Sequence, residues 1–316
     1  MRVLLWHVHG SWTTAFVQGP HTYIVPVLPE RGPDGRGRAQ TYTWPRSVIE
    51  RTPAELRNEH VDAVVLQRPH EEHLAAQWLG RRPGRDIPAV HVEHNAPQGH
   101  VNEMRHHTAD RDDVLLVHVT HFNALFWDAG TTRVRVVEHG VCDPGHIYRG
   151  DMARAAVVVN EPLRRGRVVG TDLLPGFAQV APVDVFGMQT EALQGLDAPQ
   201  AALHQLIARR RVYLHPVRWT SLGLSLLEAM HIGMPVVALA TTEVAEAVPP
   251  SAGVVSNRIE VLEQAMRRFL ADPDDARHTG SAARTAALER YGLRRFLDDW
   301  ESVLEEARAT AARVPA

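Results

Sequence analysis

Residues 213–237 read YLHPVRWTSLGLSLLEAMHIGMPVV, and this stretch predicts a strand, a turn, a helix and a second strand. The apolar pair Tyr213-Leu214 ends a strand, a small polar turn follows up to Gly223, and a helical apolar run then carries one acid, Glu228. Gly233 ends that helix before the next apolar run. Free backbone amides at a helix start and the helix dipole favour an anion, so the turn predicts a site for a phosphate-bearing ligand. The carboxylate one turn further on is suited to accept hydrogen bonds from sugar hydroxyls.

The composition is that of a globular protein. With 316 residues, 44% hydrophobic and 22% charged, the chain is long enough for two domains of ordinary size. A net charge of −3 offers no electrostatic basis for binding nucleic acid. The single Cys142 excludes an internal disulfide, and with no recognisable signal peptide we expect a cytoplasmic protein. No apolar run approaches the roughly 18 residues of a membrane span, so any contact with a membrane would be peripheral.

Short apolar runs alternate with helical patterns along the whole chain. Strands are predicted at Val3–Val8, Thr22–Val27, Val61–Leu66, Ala89–Glu93, Val114–His118, Arg133–Glu138, Ala155–Val159, Val183–Phe186, Val212–Leu214, Val236–Leu239 and Gly253–Val255. Helices are predicted at Glu71–Gly80, Thr120–Ala129, Pro199–Arg209, Leu222–Ile232, Val261–Leu270 and Leu293–Thr310. Apolar strands between helices are typical of parallel sheets covered on both faces. Because so many strands do not fit one compact open sheet, we expect two α/β domains, with the boundary near Gly140–Met152.

Several histidine pairs have the spacing of metal ligands, namely His7/His9, His70/His73, His106/His107 and His118/His121. No convincing third and fourth ligand stands near any pair along the chain, and the lone cysteine adds none. The chain holds 19 histidines, so pairs of this kind arise by chance. The sequence therefore predicts no metal site.

The segment HPVRWTSLGLSLLEAMHIGMPVVALATTEVAEAV, which starts at His215, resembles the signature block of retaining GT-B glycosyltransferases of the Glu-x7-Glu, family 4-like type. EHGVCDPG (138–145), LRRG (163–166) and VHVEHN (90–95) are more loosely similar to other segments of these enzymes. The resemblance implies an α/β GT-B fold with two Rossmann-like domains whose parallel sheets face a cleft. It assigns 1–140 to the acceptor domain, 141–290 to the nucleotide-sugar donor domain, and 291–316 to a helix that crosses back to the first domain.

The same resemblance implies which residues form the site. The donor-binding set is Gly10, Thr220, Ser221, Leu222, Gly223, Leu224 and Glu228. Arg164 and Arg165 would neutralise the leaving diphosphate, and His94 would act at the reaction centre. Glu228 would hold the donor ribose, and the amides around Gly223 would hold the diphosphate.

The chain departs from the family pattern at three places. The family's Arg some six residues before the basic-glycine turn falls near Val159–Asn160, so that phosphate contact is missing or displaced. Thr220 stands where the family has the first Glu of its motif, the residue that the resemblance implies for contact with the donor sugar. After Gly10 only about ten residues precede the next strand, where the family usually has a full helix.

The expected function is metal-independent transfer of a sugar, with retention, from a nucleotide-sugar donor to an acceptor hydroxyl or amine. The donor is expected to be UDP- or GDP-linked, no cofactor is expected, and the acceptor is an unidentified small molecule, glycan or lipid-linked sugar. Two alternatives stay open: a non-catalytic nucleotide-sugar binder or partner subunit, which Thr220 and the shortened first domain suggest, and a GT-B type nucleotide-sugar 2-epimerase.

Overall fold

The computed structural model describes residues 1–311 of the chain. The strands are β1 (Arg2–Leu5), β2 (Thr22–Pro26), β3 (Val48–Arg51), β4 (Ala63–Leu66), β5 (Ala89–Glu93), β6 (Leu115–His118), β7 (Val134–Val136), β8 (Met152–Val158), β9 (Val183–Phe186), β10 (Arg210–His215), β11 (Val236–Ala238) and β12 (Gly253–Val255). The helices are α1 (Gly10–Phe16), α2 (Pro53–Leu56), α3 (Glu71–Leu79), α4 (His121–Phe126), α5 (Pro162–Arg165), α6 (Leu174–Val180), α7 (Gln200–Ile207), α8 (Leu224–Ile232), α9 (Val244–Ala247), α10 (Ile259–Ala271), α11 (Pro273–Tyr291) and α12 (Leu293–Ala311).

These elements form two compact units. The first comprises Met1–Gly140 together with α12, and the second comprises Val141–Gly292. The first unit has a seven-stranded sheet in the order β3-β2-β1-β4-β5-β6-β7, and the second a five-stranded sheet in the order β12-β11-β10-β8-β9. Every strand pair in both sheets is parallel. The prediction of two α/β domains with parallel sheets is therefore confirmed.

Strand β3, at Val48–Arg51, was not predicted from the sequence. It lies at the edge of the first sheet and pairs with β2 alone. An edge strand has a neighbouring strand on one side only, and it tolerates charged side chains. Glu50 and Arg51 accordingly interrupt the kind of apolar run that marks the interior strands. The hydrophobic pattern therefore does not predict a strand at this position.

A short helix follows β1, where the sequence suggested that a helix was missing. Helix α1 has seven residues and buries Trp12 and Phe16. Both rings pack edge-on against Trp300 of α12, with ring centroids 5.6 Å and 4.9 Å apart. Large aromatic side chains let so short a helix bury enough apolar surface to hold its place.

Helix α11, at Pro273–Tyr291, was also not predicted from the sequence. Apart from Tyr291 at its last position, its buried side is built from small residues, namely Ala276, Thr279, Gly280, Ala283 and Ala287. A methyl group on Gly280 would overlap the carbonyl of Gly233, which ends α8 in the left-handed conformation with φ 97°. Close approach of α11 to α8 therefore requires small residues, and these give only a weak hydrophobic pattern.

No helix within residues 1–311 is both long and apolar enough to cross a membrane.

Candidate functional site

The second sheet reverses its strand order between β8 and β10. From β8 the chain places β9 on one side and then returns to place β10, β11 and β12 on the other. In open parallel sheets, ligands bind outside the carboxyl ends of the strands at such a reversal. The loops that follow Val158 and His215, where β8 and β10 end, are therefore the place where this unit should bind a ligand.

The turn after β10 lies on a buried histidine. A methyl group built on Gly223 would be 2.7 Å from Cε1 of His215, so the backbone rests directly on the imidazole. Burial lowers the pKa of His215 to about 4, which keeps the ring neutral at pH 7. Its Nε2 is buried and has no hydrogen-bond partner within the described residues. Sequence reasoning did not assign His215 to the site.

Gly223 is the N-cap of α8, and no side chain caps this helix start. Within residues 1–311 the backbone amides of Gly223, Leu224 and Ser225 meet no acceptor. Ser221 and Leu222 are buried, whereas Thr220 is half-buried. The turn thus presents free amides at the amino end of a nine-residue helix, which is the arrangement that binds phosphate oxygens.

Glu228 is buried one turn into α8, and two side chains of α7 hold its carboxylate. Nε2 of Gln200 donates to Oε1 at 2.8 Å, and Nε2 of His204 lies 3.2 Å from Oε2. Gln200 and His204 are four residues apart and so share one face of α7. Sequence reasoning identified Glu228 but missed both partners, because only the packing of α7 on α8 brings them together.

Arg164 and Arg165 follow β8 but have different surroundings. Arg164 is exposed and forms an ion pair with Glu161, with Nε 3.0 Å from Oε1. Arg165 is half-buried, and its guanidinium makes no hydrogen bond or ion pair with any described residue. Burial, then the neighbouring charge of Arg164, lowers the pKa of Arg165. A half-buried guanidinium without a partner is suited to an anionic ligand.

The loops after β8 and β10 adjoin each other. Arg218 donates to the two oxygens of Asp172 at 2.6 and 2.9 Å. A methyl group on Gly170 would overlap the carbonyl oxygen of Pro216. The structure therefore brings the loop that begins with Arg165 against the loop that leads to Gly223.

A further acid, Glu243, lies beside this turn and was not singled out from the sequence. It is buried, its amide donates to the carbonyl of Ser221 at 3.4 Å, and Nη2 of Arg290 lies 3.4 Å from its Oε1. Glu243 is the last residue of the polar segment TTE (241–243), and this sequence pattern does not predict a buried side chain.

The remaining predicted residues, Gly10 and His94, lie in the first unit. His94 follows β5 and is buried, with its ring centroid 4.1 Å from that of His9 and 4.9 Å from that of Trp12. Burial, then the nearby His9, lowers the pKa of His94 well below its ordinary value, so the ring is neutral at pH 7. A methyl group on Gly10 would come within 2.8 Å of the Tyr42 ring, so this glycine accommodates Tyr42 in the structure.

Comparison with known proteins finds a family match for part of the second unit. Residues 193–286 match the family Glycosyl transferases group 1. The matched segment contains α7, β10, the Gly223 turn and α8, and thus the free amides at the start of α8 and the residues that hold Glu228. No curated protein sequence matches the chain significantly.

Solved structures resemble the whole chain at low sequence identity. Sucrose-phosphate synthase from Thermosynechococcus elongatus has a TM-score of 0.70 at 14% identity, over 98% of this chain and 99% of that one. Anabaena HepE in complex with UDP and glucose has a TM-score of 0.69 at 14% identity, over 96% and 99%. A glycosyltransferase from Rickettsia africae has a TM-score of 0.66 at 14% identity, over 97% and 98%. The chain has the GT-B fold.

Proposed function

We propose that this chain is a glycosyltransferase that moves a sugar from a nucleotide-sugar donor to an acceptor hydroxyl or amine. The observation that carries the proposal is the amino end of α8 at the strand reversal of the second sheet, with free amides at Gly223 and a held carboxylate at Glu228. The match of residues 193–286 to the Glycosyl transferases group 1 family supports it. Retention of configuration rests on the sequence resemblance.

The chemistry asks the protein to stabilise separated charge. As the bond between sugar and diphosphate breaks, negative charge grows on the diphosphate and positive charge on the sugar ring. The amides at the start of α8 and the guanidinium of Arg165 would stabilise the departing diphosphate, which is the task for which other transferases use a metal ion. We therefore propose transfer that needs no metal at the diphosphate.

Glu228 would hold the donor ribose. Gln200 and His204 donate to different carboxylate oxygens, and this fixes the plane of the carboxylate. A carboxylate oxygen can accept more than one hydrogen bond, so a carboxylate held in this way is suited to the ribose hydroxyls. Because Anabaena HepE is solved with UDP and with UDP-glucose, UDP is the first nucleotide to test here.

Calorimetric titration of the full chain with UDP and GDP tests the donor site. We expect binding of one of these nucleotides, and a loss of at least tenfold in affinity for both Glu228→Ala and Arg165→Ala. A matched control is Glu263→Ala on α10, an acid whose only ion pair within residues 1–311 is the i,i+4 pair with Arg267. Unchanged affinity in both site variants would reject the site.

Thr220 motivates a second candidate, a non-catalytic nucleotide-sugar binder. Its side chain is half-buried and offers a hydroxyl where the resembling enzymes have a carboxylate. A panel of nucleotide sugars, with and without acceptors, separates the two by the release of nucleoside diphosphate. Release with any donor supports the transferase, and tight binding without release on every acceptor supports the binder.

A further inference from the structure

We propose that the first unit binds one zinc ion through His91, His106 and His107. The ligand atoms of the three side chains lie within 4.8 Å of one another. Tetrahedral zinc with bonds of about 2.0–2.1 Å to nitrogen needs the nitrogens about 3.4 Å apart, so small side-chain rotations complete the site. None of the three residues belongs to the proposed donor site.

The site occupies a sheet face where apolar side chains are expected. His91 lies on β5, an interior strand, and alternation puts Glu93 on the same face and Val90 and Val92 on the other. The register pairs Glu93 with His118 of β6, which brings another buried imidazole to this face. Interior parallel strands are normally apolar on both faces, so this polar cluster in a buried position calls for a physical reason.

The unsatisfied nitrogen of His91 points to a missing partner. The side chain is only 2% exposed, and its Nε2 has no hydrogen-bond partner within the described residues. A buried polar atom without a partner costs free energy. A metal ion that accepts the lone pair of this nitrogen would remove that cost.

His106 has the surroundings of an oriented metal ligand. Its Nε2 lies 3.1 Å from Oε2 of Glu93, and its Nδ1 lies 2.7 Å from Oγ1 of Thr108. The amide of Thr108 also donates to Nδ1 at 3.2 Å, so a metal at Nδ1 displaces both Thr108 contacts, and a metal at Nε2 displaces Glu93. If Nδ1 binds, Nε2–H keeps Glu93 as its acceptor, and a carboxylate on the second nitrogen orients many metal-bound imidazoles.

His107 gives the ion a route from solvent. It is exposed, and its ring centroid lies 4.4 Å from that of His91 and 4.3 Å from that of His106. Neither of its nitrogens is hydrogen-bonded to a described residue. Three imidazoles leave a fourth position for water, and imidazole sets favour zinc, copper and nickel over calcium or magnesium. The ion would fasten the loop that carries His106 and His107 onto β5.

Zinc titration of the full, untagged chain tests this site after dialysis against a chelator. Calorimetry should give one zinc ion per chain with submicromolar affinity, and thermal melting should shift upward by several degrees with zinc. His107 is exposed, so His107→Ala should not disturb folding. This variant should bind zinc at least tenfold more weakly and lose the thermal shift. His91→Asn should do the same, and cobalt in place of zinc should give visible absorption bands of tetrahedral intensity in the wild type but in neither of these two variants.

The matched control is the double variant His70→Ala/His73→Ala, which removes an exposed pair on and beside α3. It should bind zinc as the wild type does. Zinc binding that this control loses and His107→Ala keeps would assign the ion to the surface pair and overturn the proposal. So would a wild-type chain that binds less than a tenth of an equivalent of zinc. UDP affinity should not change with zinc, so failure here leaves the transferase proposal standing.

Discussion

The imidazole of His215 lies directly under the backbone of Gly223, and a methyl group there would stand 2.7 Å from Cε1. The ring is buried at the end of an interior strand and cannot move without disturbing the sheet. The position of the first α8 amides is therefore set by contact with this ring. It follows that the residue at 223 must lack a side chain, although its own φ of −72° suits any residue.

Gly223→Ala should consequently destabilise the protein and weaken nucleotide binding. Overpacking of this kind costs about 1–3 kcal/mol, and displacement of the amides should lower UDP affinity at least tenfold. Urea unfolding and calorimetry measure the two effects. The control is Gly176→Ala on α6, where an added methyl meets nothing within 4 Å, and it should be neutral or slightly stabilising. Equal behaviour of the two variants would contradict the account.

The two side chains that hold Glu228 should act through it. His204→Leu removes one donor from a buried carboxylate, so we expect a loss of about 1–3 kcal/mol in the free energy of unfolding and a clear fall in UDP affinity. His204→Gln keeps a donor and should recover much of both. The decisive measurement is a double-mutant cycle, because His204→Leu should cause no further loss of affinity when Glu228 is already Ala. Additive losses would show that His204 acts independently.

Much of the second unit was predictable because its signals are local in the chain. Apolar runs mark β8 to β12, and the glycine turn before a helical run marks the start of α8. The partners of Glu228 were not predictable, since Gln200 and His204 lie 28 and 24 residues before it and meet it only through helix packing. The small-residue face of α11 and the charged edge strand β3 escaped detection because neither produces a strong hydrophobic period.

The histidine cluster of the first unit illustrates the same limit. The pair His106-His107 is visible in the sequence, but its third member, His91, stands 15 residues earlier on an interior strand. Only a loop folded over β5 brings the three rings together. A sequence search for nearby ligands therefore predicts no metal site, whereas the folded chain supplies the third imidazole.

Buried neutral histidines should make the protein acid-sensitive. Burial is the only cause that lowers the pKa of His215 from 6.5 to about 4, and burial lowers the pKa of His9 to about 4 and that of His139 to about 3. Between these values and 6.5 the unfolded chain binds protons that the folded chain does not. Stability is therefore fully present above pH 6.5 and falls as the pH drops towards 4.

For His215 alone this acid-induced loss amounts to about 3 kcal/mol when complete. His215→Leu removes one of the titrating groups and keeps a similar volume. Urea unfolding at pH 7.5 and at pH 5 should show a smaller loss on acidification for the variant than for the wild type. Parallel pH profiles for the two proteins would mean that folding does not lower the pKa of His215.

The two arginines after β8 should differ sharply in function. Arg165 is half-buried with no partner among the described residues, so its full charge faces whatever binds there. Arg164 is exposed and already paired with Glu161, and exposed pairs contribute little. Arg165→Ala should raise the barrier to transfer by about 3 kcal/mol and so reduce kcat/KM for the donor roughly 100-fold. Arg164→Ala should change kcat/KM no more than about threefold. Steady-state kinetics at low and high salt measures both, and a larger effect of Arg164 would place the diphosphate on the exposed side of this turn.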